Sequence, residues 1–401
     1  MTFFEELIER GVVKDVSSPD LKDKLNNESI TFYLGTDPTA DSLHIGHYAS
    51  FVTAKRLALH GHKPIILVGG ATGLIGDPRP TMERAAITKE FVQNNIVGLT
   101  NQIEKLLGDK AEIVNNYDWL KDITFLDFLR DIGQYININY MLGKDIISRR
   151  LETGISYKEF SYTLLQGYDF LHLFKEKGCI LQAAGSDQWG NITTGIELVR
   201  KIENKEVYGF TMPLILDKMG NKFGKSEGNA LWLDKNKTSP YQIYQYLINS
   251  DDTKVEEYLK VFTFLSLDEI KSIMEKQNEK PELRIAQKAL AFEVVKDLHG
   301  EIEANAAKVK SEEIFANRGM SDETEKLEIE YPEELKIVDF LMLTNMFPSK
   351  SEARRMVEQN AISLNNEKQN NLDMIVTKDM FKDGFVLVQK GKKQFKKIVI
   401  K

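Results

Sequence analysis

The stretch that decides the fold is residues 30–70, ITFYLGTDPTADSLHIGHYASFVTAKRLALHGHKPIILVGG. Ile30–Leu34 is rich in β-forming residues, and the glycine, aspartate and proline that follow predict a loop. Asp41 or Ser42 is suited to cap the helix that comes next. Pro64–Val68 then reads as a second, buried strand. A strand–loop–helix–strand unit of this kind predicts a parallel α/β sheet.

The start of the predicted helix is a candidate ligand site. In parallel α/β sheets, ligands bind at the carboxyl ends of strands and beside helix N-termini. His44 and His47 lie there, three residues apart, so we expect them on one face of the first turn. Two imidazoles at a helix N-terminus suit an anion such as phosphate, and Gly46 lets a ring or a ribose approach the backbone. Surface histidines and metal ligands remain alternatives.

Composition limits the class of protein. A chain of 401 residues exceeds one typical core, so we expect two or three domains. With 42% hydrophobic and 28% charged residues, it resembles ordinary globular proteins. No run of about eighteen apolar residues occurs, so we expect neither a signal peptide nor a membrane span. The single cysteine, Cys179, excludes an intrachain disulfide and predicts a cytoplasmic location.

Charge is unevenly distributed. Residues 335–401 contain thirteen Lys or Arg and seven Asp or Glu, a net charge of +6, which leaves −13 for the rest of a chain of net charge −7. An acidic body with a basic tail indicates that the tail contacts a polyanion. A solvated basic surface is the alternative. The side chains expected to form the positive surface are Lys350, Arg354, Lys392, Lys393, Lys396 and Lys397.

Two further segments place polar residues and glycines after predicted strands. Residues 69–78 read GGATGLIGDP, and their Asp77 could pair with a substrate ammonium. The strand Cys179–Gln182 runs into AAGSDQWGN, again at a carboxyl end. A plain glycine-rich turn is the alternative for residues 69–78.

A polar stripe is predicted on the helix around residues 160–171. Tyr162, Gln166 and Asp169 stand at i, i+4 and i+7, so they share one face. A solvated stripe would normally carry Lys and Glu, whereas a phenol, an amide and a carboxylate are suited to orient a small polar ligand. We therefore favour a binding role over a solvated face.

A polar loop follows at residues 219–229, MGNKFGKSEGN. Lys222 and Lys225 among three glycines make a mobile cationic loop, which can close on a polyphosphate. A surface turn is the alternative. Residues 116–143 are rich in aromatic side chains, and we favour protein core over a subunit interface for them.

The predicted fold class is α/β. It comprises a Rossmann-like parallel-sheet domain, an α-helical domain and a small α+β domain. The predicted boundaries are 1–216 for the parallel-sheet domain, 217–239 for a mobile loop, 240–316 for the helical domain, 317–334 for a linker and 335–401 for the tail domain.

Five segments, taken in order, resemble bacterial-type tyrosyl-tRNA synthetases, a family of class I aminoacyl-tRNA synthetases. They are the HIGH segment at 44–47, GDP at 76–78, the stripe at 162–169, GSDQ at 185–188 and KFGKS at 222–226. The tail resembles the alpha-L RNA-binding module. The resemblance implies that the carboxylate of L-tyrosine attacks ATP to give tyrosyl-adenylate, and that tyrosine then passes to tRNA(Tyr). It also implies that the first domain is catalytic, that the helical domain lies on the anticodon side of tRNA and that the tail domain binds RNA.

The resemblance also implies residue roles. Catalytic contacts to the phosphates are implied for Thr39, His44, His47, Lys222, Lys225 and Ser226. Further ATP contacts are implied for Asp37, Gly46, Gly185 and Asp187, as well as for Lys225. Contacts to tyrosine are implied for Tyr33, Asp77, Tyr162, Gln166, Asp169, Gln182 and Gln188. Contacts to tRNA are implied for Lys350, Arg354, Lys392 and Lys393.

The resemblance further implies Mg²⁺ bound with ATP, no resident metal, no membrane contact and a homodimer. One segment departs from the family: residues 79–84 stand where the family often has Ser-Gly followed by a basic residue. Either Arg79 or Arg84 could therefore contact the pyrophosphate. A tryptophanyl-type synthetase, an inactive RNA-binding paralogue and a small nucleotidyltransferase are the alternatives.

Overall fold

The computed structural model describes residues 1–78, 87–151, 154–226, 229–316, 324–332, 334–391 and 394–400. The chain forms two compact units, Met1–His299 and Gly300–Lys401. Apart from the linker, which is described below, the finer division into segments stays a prediction.

The first unit contains most of the regular structure. Its helices are α1 Phe3–Glu9, α2 Leu21–Asn27, α3 Ile45–Leu59, α4 Thr72–Ile75, α5 Lys89–Leu107, α6 Tyr117–Leu120, α7 Phe125–Asp131, α8 Ile138–Leu142, α9 Asp145–Leu151, α10 Tyr157–Lys177, α11 Trp189–Glu203, α12 Pro240–Ile248, α13 Val255–Phe262, α14 Leu267–Glu279 and α15 Ile285–His299. Its strands are β1 Thr31–Thr36, β2 Lys63–Val68, β3 Glu112–Asn115, β4 Cys179–Gly185, β5 Tyr208–Met212, β6 Lys225–Ser226 and β7 Asn229–Ala230.

The central sheet has the strand order β3-β2-β1-β4-β5, and every pairing in it is parallel. The predicted strand–helix–strand unit is therefore confirmed. The strand order reverses between β1 and β4, and open α/β sheets bind ligands at such a switch point, outside the carboxyl ends of the strands. Residues just after Thr36 and Gly185 are consequently brought together.

Two arginines, Arg56 and Arg10, form hydrogen bonds to the helical segment α12–α15. Arg56 of α3 donates to the main-chain oxygens of Val261, Lys260 and Thr263, which satisfies carbonyls at the C-terminus of α13. Arg10 adds a bond of 2.8 Å to the oxygen of Leu265. The start of this segment, capped by Ser239, matches the predicted helical region.

The aromatic segment 116–143 is only partly core. Some of its rings pack on the buried cluster around Phe170, namely Trp119, Phe128 and Tyr135. Other apolar side chains of the segment are exposed: Phe125 by 64%, Leu126 by 75% and Ile138 by 63%. The preference for core was therefore wrong for the outer face of α7 and α8, where nothing in the described chain covers these side chains.

The second unit contains the helices α16 Glu301–Ala316, α17 Ile337–Leu343 and α18 Lys350–Glu358. Its strands are β8 Lys326–Ile329, β9 Glu334–Lys336, β10 Ile362–Leu364, β11 Glu367–Gln369, β12 Ile375–Thr377, β13 Phe385–Lys390 and β14 Gln394–Ile400. The larger sheet has the order β11-β10-β13-β14-β8, and β12 pairs with β9. Asn365 and Asn366 both have positive φ, as a two-residue hairpin turn requires.

The predicted linker 317–334 is wrong over its second half. Residues 326–329 form β8, which pairs in parallel with β14. Tyr331 is buried, and its hydroxyl donates to the oxygen of Val376 at 2.7 Å. Residues 317–323 lie outside the described residues. Over the part of the chain that is described, no helix is both long enough and apolar enough to cross a membrane.

Candidate active site

The first turn of α3 is capped by a histidine. His44 is the N-cap residue; its Nδ1 accepts from the backbone N–H of Gly46 at 3.1 Å. The Nδ1 of His47 accepts in turn from the N–H of His44 at 3.3 Å. The prediction that Asp41 or Ser42 caps this helix was wrong, because Asp41 pairs with Lys237 and Ser42 bonds to Gln102 instead.

The imidazole of His47 is neutral at physiological pH. The rings of His44 and His47 are stacked with centroids 3.8 Å apart. Burial, with His44 close by, lowers the pKa of His47 to about 3. A neutral ring whose Nδ1 accepts carries its proton on Nε2, so each ring offers an N–H donor. A Cβ at Gly46 would lie 2.9 Å from Cε1 of His44, so the cap requires glycine there.

A buried carboxyl lies at the other end of the site. Asp169 of α10 is 1% exposed, and its two oxygens accept from Asn116 Nδ2 at 3.0 Å and from Trp119 Nε1 at 2.9 Å. Burial raises the pKa of Asp169 to about 7, against the opposing effect of these two donors. Tyr33 of β1 is equally buried, and its hydroxyl has no hydrogen-bond partner among the described residues.

Asn116 and Trp119 were not predicted as site residues. Asn116 also accepts from the N–H of Ala71 at 2.8 Å and donates to Thr72 Oγ1 at 3.0 Å, so its amide joins three segments. Its place directly after β3, at the carboxyl edge of the sheet, is the sequence signal that could have identified it.

The polar stripe of α10 faces the same space as Asp37 and Asp77. Tyr162 donates to Asp37 Oδ2 at 3.0 Å. Gln188 donates to Asp77 Oδ2 at 2.9 Å. Gln166 Oε1 is buried with no hydrogen-bond partner in the described chain. With Asp169, three carboxyl groups and a free amide oxygen therefore surround one region, which favours a cationic group.

These side chains line one cleft of about 400 Å³. Fifteen predicted site residues border it: Tyr33, Asp37, Thr39, His44, Gly46, His47, Asp77, Tyr162, Gln166, Asp169, Gln182, Gly185, Asp187, Gln188 and Lys222. The side chains of Lys225 and Ser226 lie outside the described part of the chain, as do Arg79 and Arg84. The cleft therefore has an acidic, buried end at Asp169 and an end lined by N–H donors at the histidines.

The predicted basic surface of the second unit is smaller than expected. Lys350 and Arg354 are exposed on α18, and Lys350 pairs with Asp339 at 2.6 Å. Lys397, which we expected to be exposed, is buried over the ring of Phe385. Lys396 is 12% exposed and pairs with Glu325. Lys392 and Lys393 lie outside the described residues.

Comparisons with known proteins agree with this geometry. A family profile described as "tRNA synthetases class I (W and Y)" matches residues 24–316, and one described as "Tyrosine--tRNA ligase SYY-like C-terminal domain" matches residues 317–398. The chain is 45% identical to tyrosine–tRNA ligase 2 of Enterococcus faecalis and to tyrosine–tRNA ligase of Bacillus velezensis, over 98% of each chain.

Among solved structures, a C-terminally truncated mitochondrial tyrosyl-tRNA synthetase of Aspergillus nidulans superposes with a TM-score of 0.71 at 36% identity. The match covers 78% of this chain and 94% of that one. A doubly wound sheet whose switch point holds a histidine-capped helix defines, together with these matches, a class I aminoacyl-tRNA synthetase. Within that class the chain belongs to the tyrosine–tRNA ligase family, whose members are enzymes that use ATP.

Proposed function

We propose that the cleft activates L-tyrosine with ATP and that the enzyme then transfers tyrosine to the 3′ end of tRNA(Tyr). The observation that carries this proposal is the buried end of the cleft. There the Tyr33 hydroxyl lacks a partner among the described residues, and the Asp169 carboxyl is held by two donors. Each carboxylate oxygen has a second lone pair, so Asp169 can still accept from the hydroxyl of a substrate phenol.

The ammonium of tyrosine would bind nearer the middle of the cleft. Asp77 supplies negative charge, and the buried oxygen of Gln166 supplies an acceptor without a competing partner in the described chain. The Oε1 of Gln182 is likewise buried without a hydrogen-bond partner in the described chain. Buried acceptors of this kind are costly unless a donor reaches them, so they support a bound ammonium.

The chemical step needs positioning and charge stabilisation more than covalent catalysis. A carboxylate oxygen of tyrosine attacks the α-phosphorus of ATP, and a new oxygen–phosphorus bond forms. The bond from that phosphorus to the bridging oxygen breaks, and pyrophosphate leaves with the electron pair. His44, His47 and Thr39 would donate to the phosphates, and Lys222 with Lys225 and Ser226 would stabilise the leaving pyrophosphate.

The ribose and the backbone contacts of ATP would lie between these two ends. Asp187 follows β4 at the switch point and lines the cleft with Gly185 and Gly46. A carboxylate is suited to accept from ribose hydroxyls, and the glycines allow close approach of a ring. Mg²⁺ would enter with ATP as part of the substrate. The predicted absence of a resident metal stays a prediction.

Discrimination against phenylalanine would follow from the same buried groups. Phenylalanine lacks the hydroxyl, so it would leave the Tyr33 hydroxyl without a partner and would give Asp169 no donor besides Asn116 and Trp119. A site that must hydrogen-bond a substrate hydroxyl rejects the analogue lacking it by about 10⁴–10⁵, a magnitude established for a tyrosyl-tRNA synthetase itself. Such a site needs no editing domain.

The second unit would bind tRNA through the exposed face of α18. Lys350 and Arg354 stand four residues apart there, so they lie on one side of the helix. Two cations on one face can contact successive phosphates of an RNA backbone. Lys392 and Lys393 would extend this surface.

We further propose a homodimer and a cytoplasmic location. The exposed apolar side chains of α7 and α8 include Phe125, Leu126 and Ile138, and apolar and aromatic side chains of this kind are typical of subunit interfaces. A second copy of the chain would cover them. The single, buried Cys179 supports a reducing compartment.

The direct test is ATP–pyrophosphate exchange with tyrosine, tryptophan and phenylalanine supplied separately in the presence of Mg²⁺. We expect exchange with tyrosine alone. Exchange with tryptophan would assign the pocket to the tryptophanyl type. No exchange from folded protein would favour the RNA-binding paralogue.

A further inference from the structure

One residue of the loop 219–226, which we call the Lys222 loop, is buried like a residue of the protein core. Asn221 and Lys222 are exposed, whereas the next residue, Phe223, is 5% exposed. Its ring centroid lies 4.5 Å from that of Tyr258, 5.0 Å from that of Phe262 and 5.2 Å from that of Tyr246. We call these four side chains the aromatic anchor. A loop that carries a catalytic cation is thus fixed by a core residue next to that cation.

A hydrogen bond to the backbone completes the attachment. The N–H of Gly224 donates to the hydroxyl of Tyr246 at 2.9 Å. Tyr246 belongs to α12, so the bond joins the loop to the helical segment. Because a phenol accepts this bond, replacing Tyr246 by phenylalanine removes the acceptor and keeps the ring.

The opposite side of the loop rests on the first turn of α3. Gly224 has φ of +81°, and a Cβ at this position would lie 1.8 Å from Cγ2 of Ile45. Only glycine allows this approach. The oxygen of Gly224 accepts from the N–H of Leu231 at 3.2 Å, and the oxygen of Leu231 accepts from the N–H of Ile45 at 2.8 Å. The position of the loop backbone is therefore fixed relative to Ile45, which lies between His44 and Gly46.

The same cluster also contacts α3 directly. Tyr48 lies one turn beyond His44, and its ring is stacked on Phe262 with an interplanar angle of 4°. Its hydroxyl donates to Asp297 at 2.7 Å. The aromatic anchor therefore touches both the helix that carries the histidines and the loop that carries Lys222, and it fixes the separation between them.

We propose that Tyr246 and Phe223 are positioning residues that hold the Lys222 ammonium opposite the histidine turn before ATP reacts. The proposal rests on the proposed role of Lys222 at the leaving pyrophosphate. Charge that is placed in advance stabilises a developing anion without reorganisation at the moment of reaction. Loss of the anchor therefore slows the formation of tyrosyl-adenylate without weakening the binding of tyrosine.

The test is single-turnover formation of tyrosyl-adenylate by the full-length Tyr246→Phe variant at saturating ATP and tyrosine. We expect the rate to fall about tenfold, which is the size of one lost hydrogen bond. The dissociation constant of tyrosine is expected to stay within about twofold of the wild-type value. The matched control is Tyr331→Phe, which loses the same kind of buried hydroxyl bond in the second unit. It should lower the unfolding midpoint similarly and leave the rate unchanged.

A double-mutant cycle with Lys222→Ala separates this inference from the function on which it rests. If Tyr246 acts through Lys222, the double variant is no more than about twofold slower than Lys222→Ala alone. Additive losses, or an unchanged rate in Tyr246→Phe while Lys222→Ala is slow, would overturn the positioning role. An unchanged rate in Lys222→Ala itself would instead overturn the proposed role of Lys222 at the pyrophosphate.

Phe223→Leu provides an independent check, because it keeps an apolar side chain but removes the ring. We expect the same slower rate with unchanged tyrosine affinity. If Phe223→Leu bound tyrosine and ATP as the wild type does and also reacted at the wild-type rate, the positioning role of the aromatic anchor would be wrong.

Discussion

Trp119 donates a hydrogen bond of 2.9 Å from its indole nitrogen to Oδ1 of Asp169, fifty residues away along the chain. The indole is itself stacked on His172, with ring centroids 4.4 Å apart. The carboxyl proposed to recognise the substrate phenol is therefore fixed by a residue that need not touch the substrate. This arrangement makes the affinity for tyrosine depend on a residue behind the pocket.

Trp119→Phe keeps an aromatic ring beside His172 and removes the donor. We expect the KM for tyrosine in pyrophosphate exchange to rise about tenfold, because a hydrogen bond to a charged group is lost. Tyr168→Phe is the control, since Tyr168 adjoins Asp169 in sequence but does not line the cleft. Equal KM values for the Trp119 variant and the wild type would contradict the assigned role.

Loss of either donor should also shift the pH profile. Asp169 has a pKa raised to about 7, mainly by burial, while Asn116 and Trp119 oppose this rise. Removing a donor that stabilises the charged form raises the pKa further. We expect the KM for tyrosine to increase as the pH falls below about 7 in the wild type, and the midpoint to move to higher pH in Trp119→Phe. A profile measured between pH 6 and 9 checks the direction.

The same carboxyl should make stability depend on pH. Its pKa is about 7 in the folded chain, against an ordinary aspartate value of 3.8. Between these values the folded state binds the extra proton, so the free energy of unfolding falls as the pH rises through this range. In Asp169→Asn this contribution is absent. The difference between the free energies of unfolding of the wild type and of Asp169→Asn should therefore decline from pH 4 to pH 7. A difference that stays constant over this range would contradict the raised pKa.

Truncation after residue 316 separates the two steps of the reaction. We expect adenylate formation within about twofold of the full chain, because the cleft residues all lie before residue 224. Transfer to tRNA should fall by at least tenfold, which corresponds to losing about 1.4 kcal/mol of RNA binding. The cut avoids dividing the second sheet, since β8 begins at Lys326. If a folded truncation lost both activities equally, the RNA role of the tail would be wrong.

The proposed dimer can be tested on the exposed face of α7. Leu126 is 75% exposed, and Leu126→Lys places a charge in the apolar surface. We expect the wild type to sediment as a dimer at micromolar concentration and the variant as a monomer with the same far-ultraviolet circular dichroism. Ile302→Lys, at a residue that is 87% exposed, should leave the mass unchanged. A monomeric wild type would refute the dimer.

Local patterns allowed much of the fold and the cleft to be predicted. The strands around α3 follow from breakers and apolar runs within a few residues, and the stripe Tyr162–Gln166–Asp169 follows from helical period. The cap was mispredicted because Ser and Asp are far commoner N-caps than His. Asn116 and Trp119 were missed because their contact with Asp169 is non-local.

The second unit shows the same limit. Residues 326–329, KLEI, alternate polar and apolar side chains as a strand does, but they follow a polar, acidic stretch and were grouped with it as a linker; their pairing with β14 shows the strand. The exposure of Leu126 in the first unit could not be predicted either. An apolar helix face has the same sequence pattern whether the protein core or a second subunit buries it.

The neutral state of His47 gives the two ends of the cleft different responses to acid. His47 stays neutral between pH 5 and 8, because its pKa is lowered to about 3. In the proposed contact with a polyphosphate, its N–H donor would therefore stay in the same protonation state over this range. Over that range the charge of His47 stays constant, whereas the charge of the Asp169 carboxyl, whose pKa is raised to about 7, changes with pH.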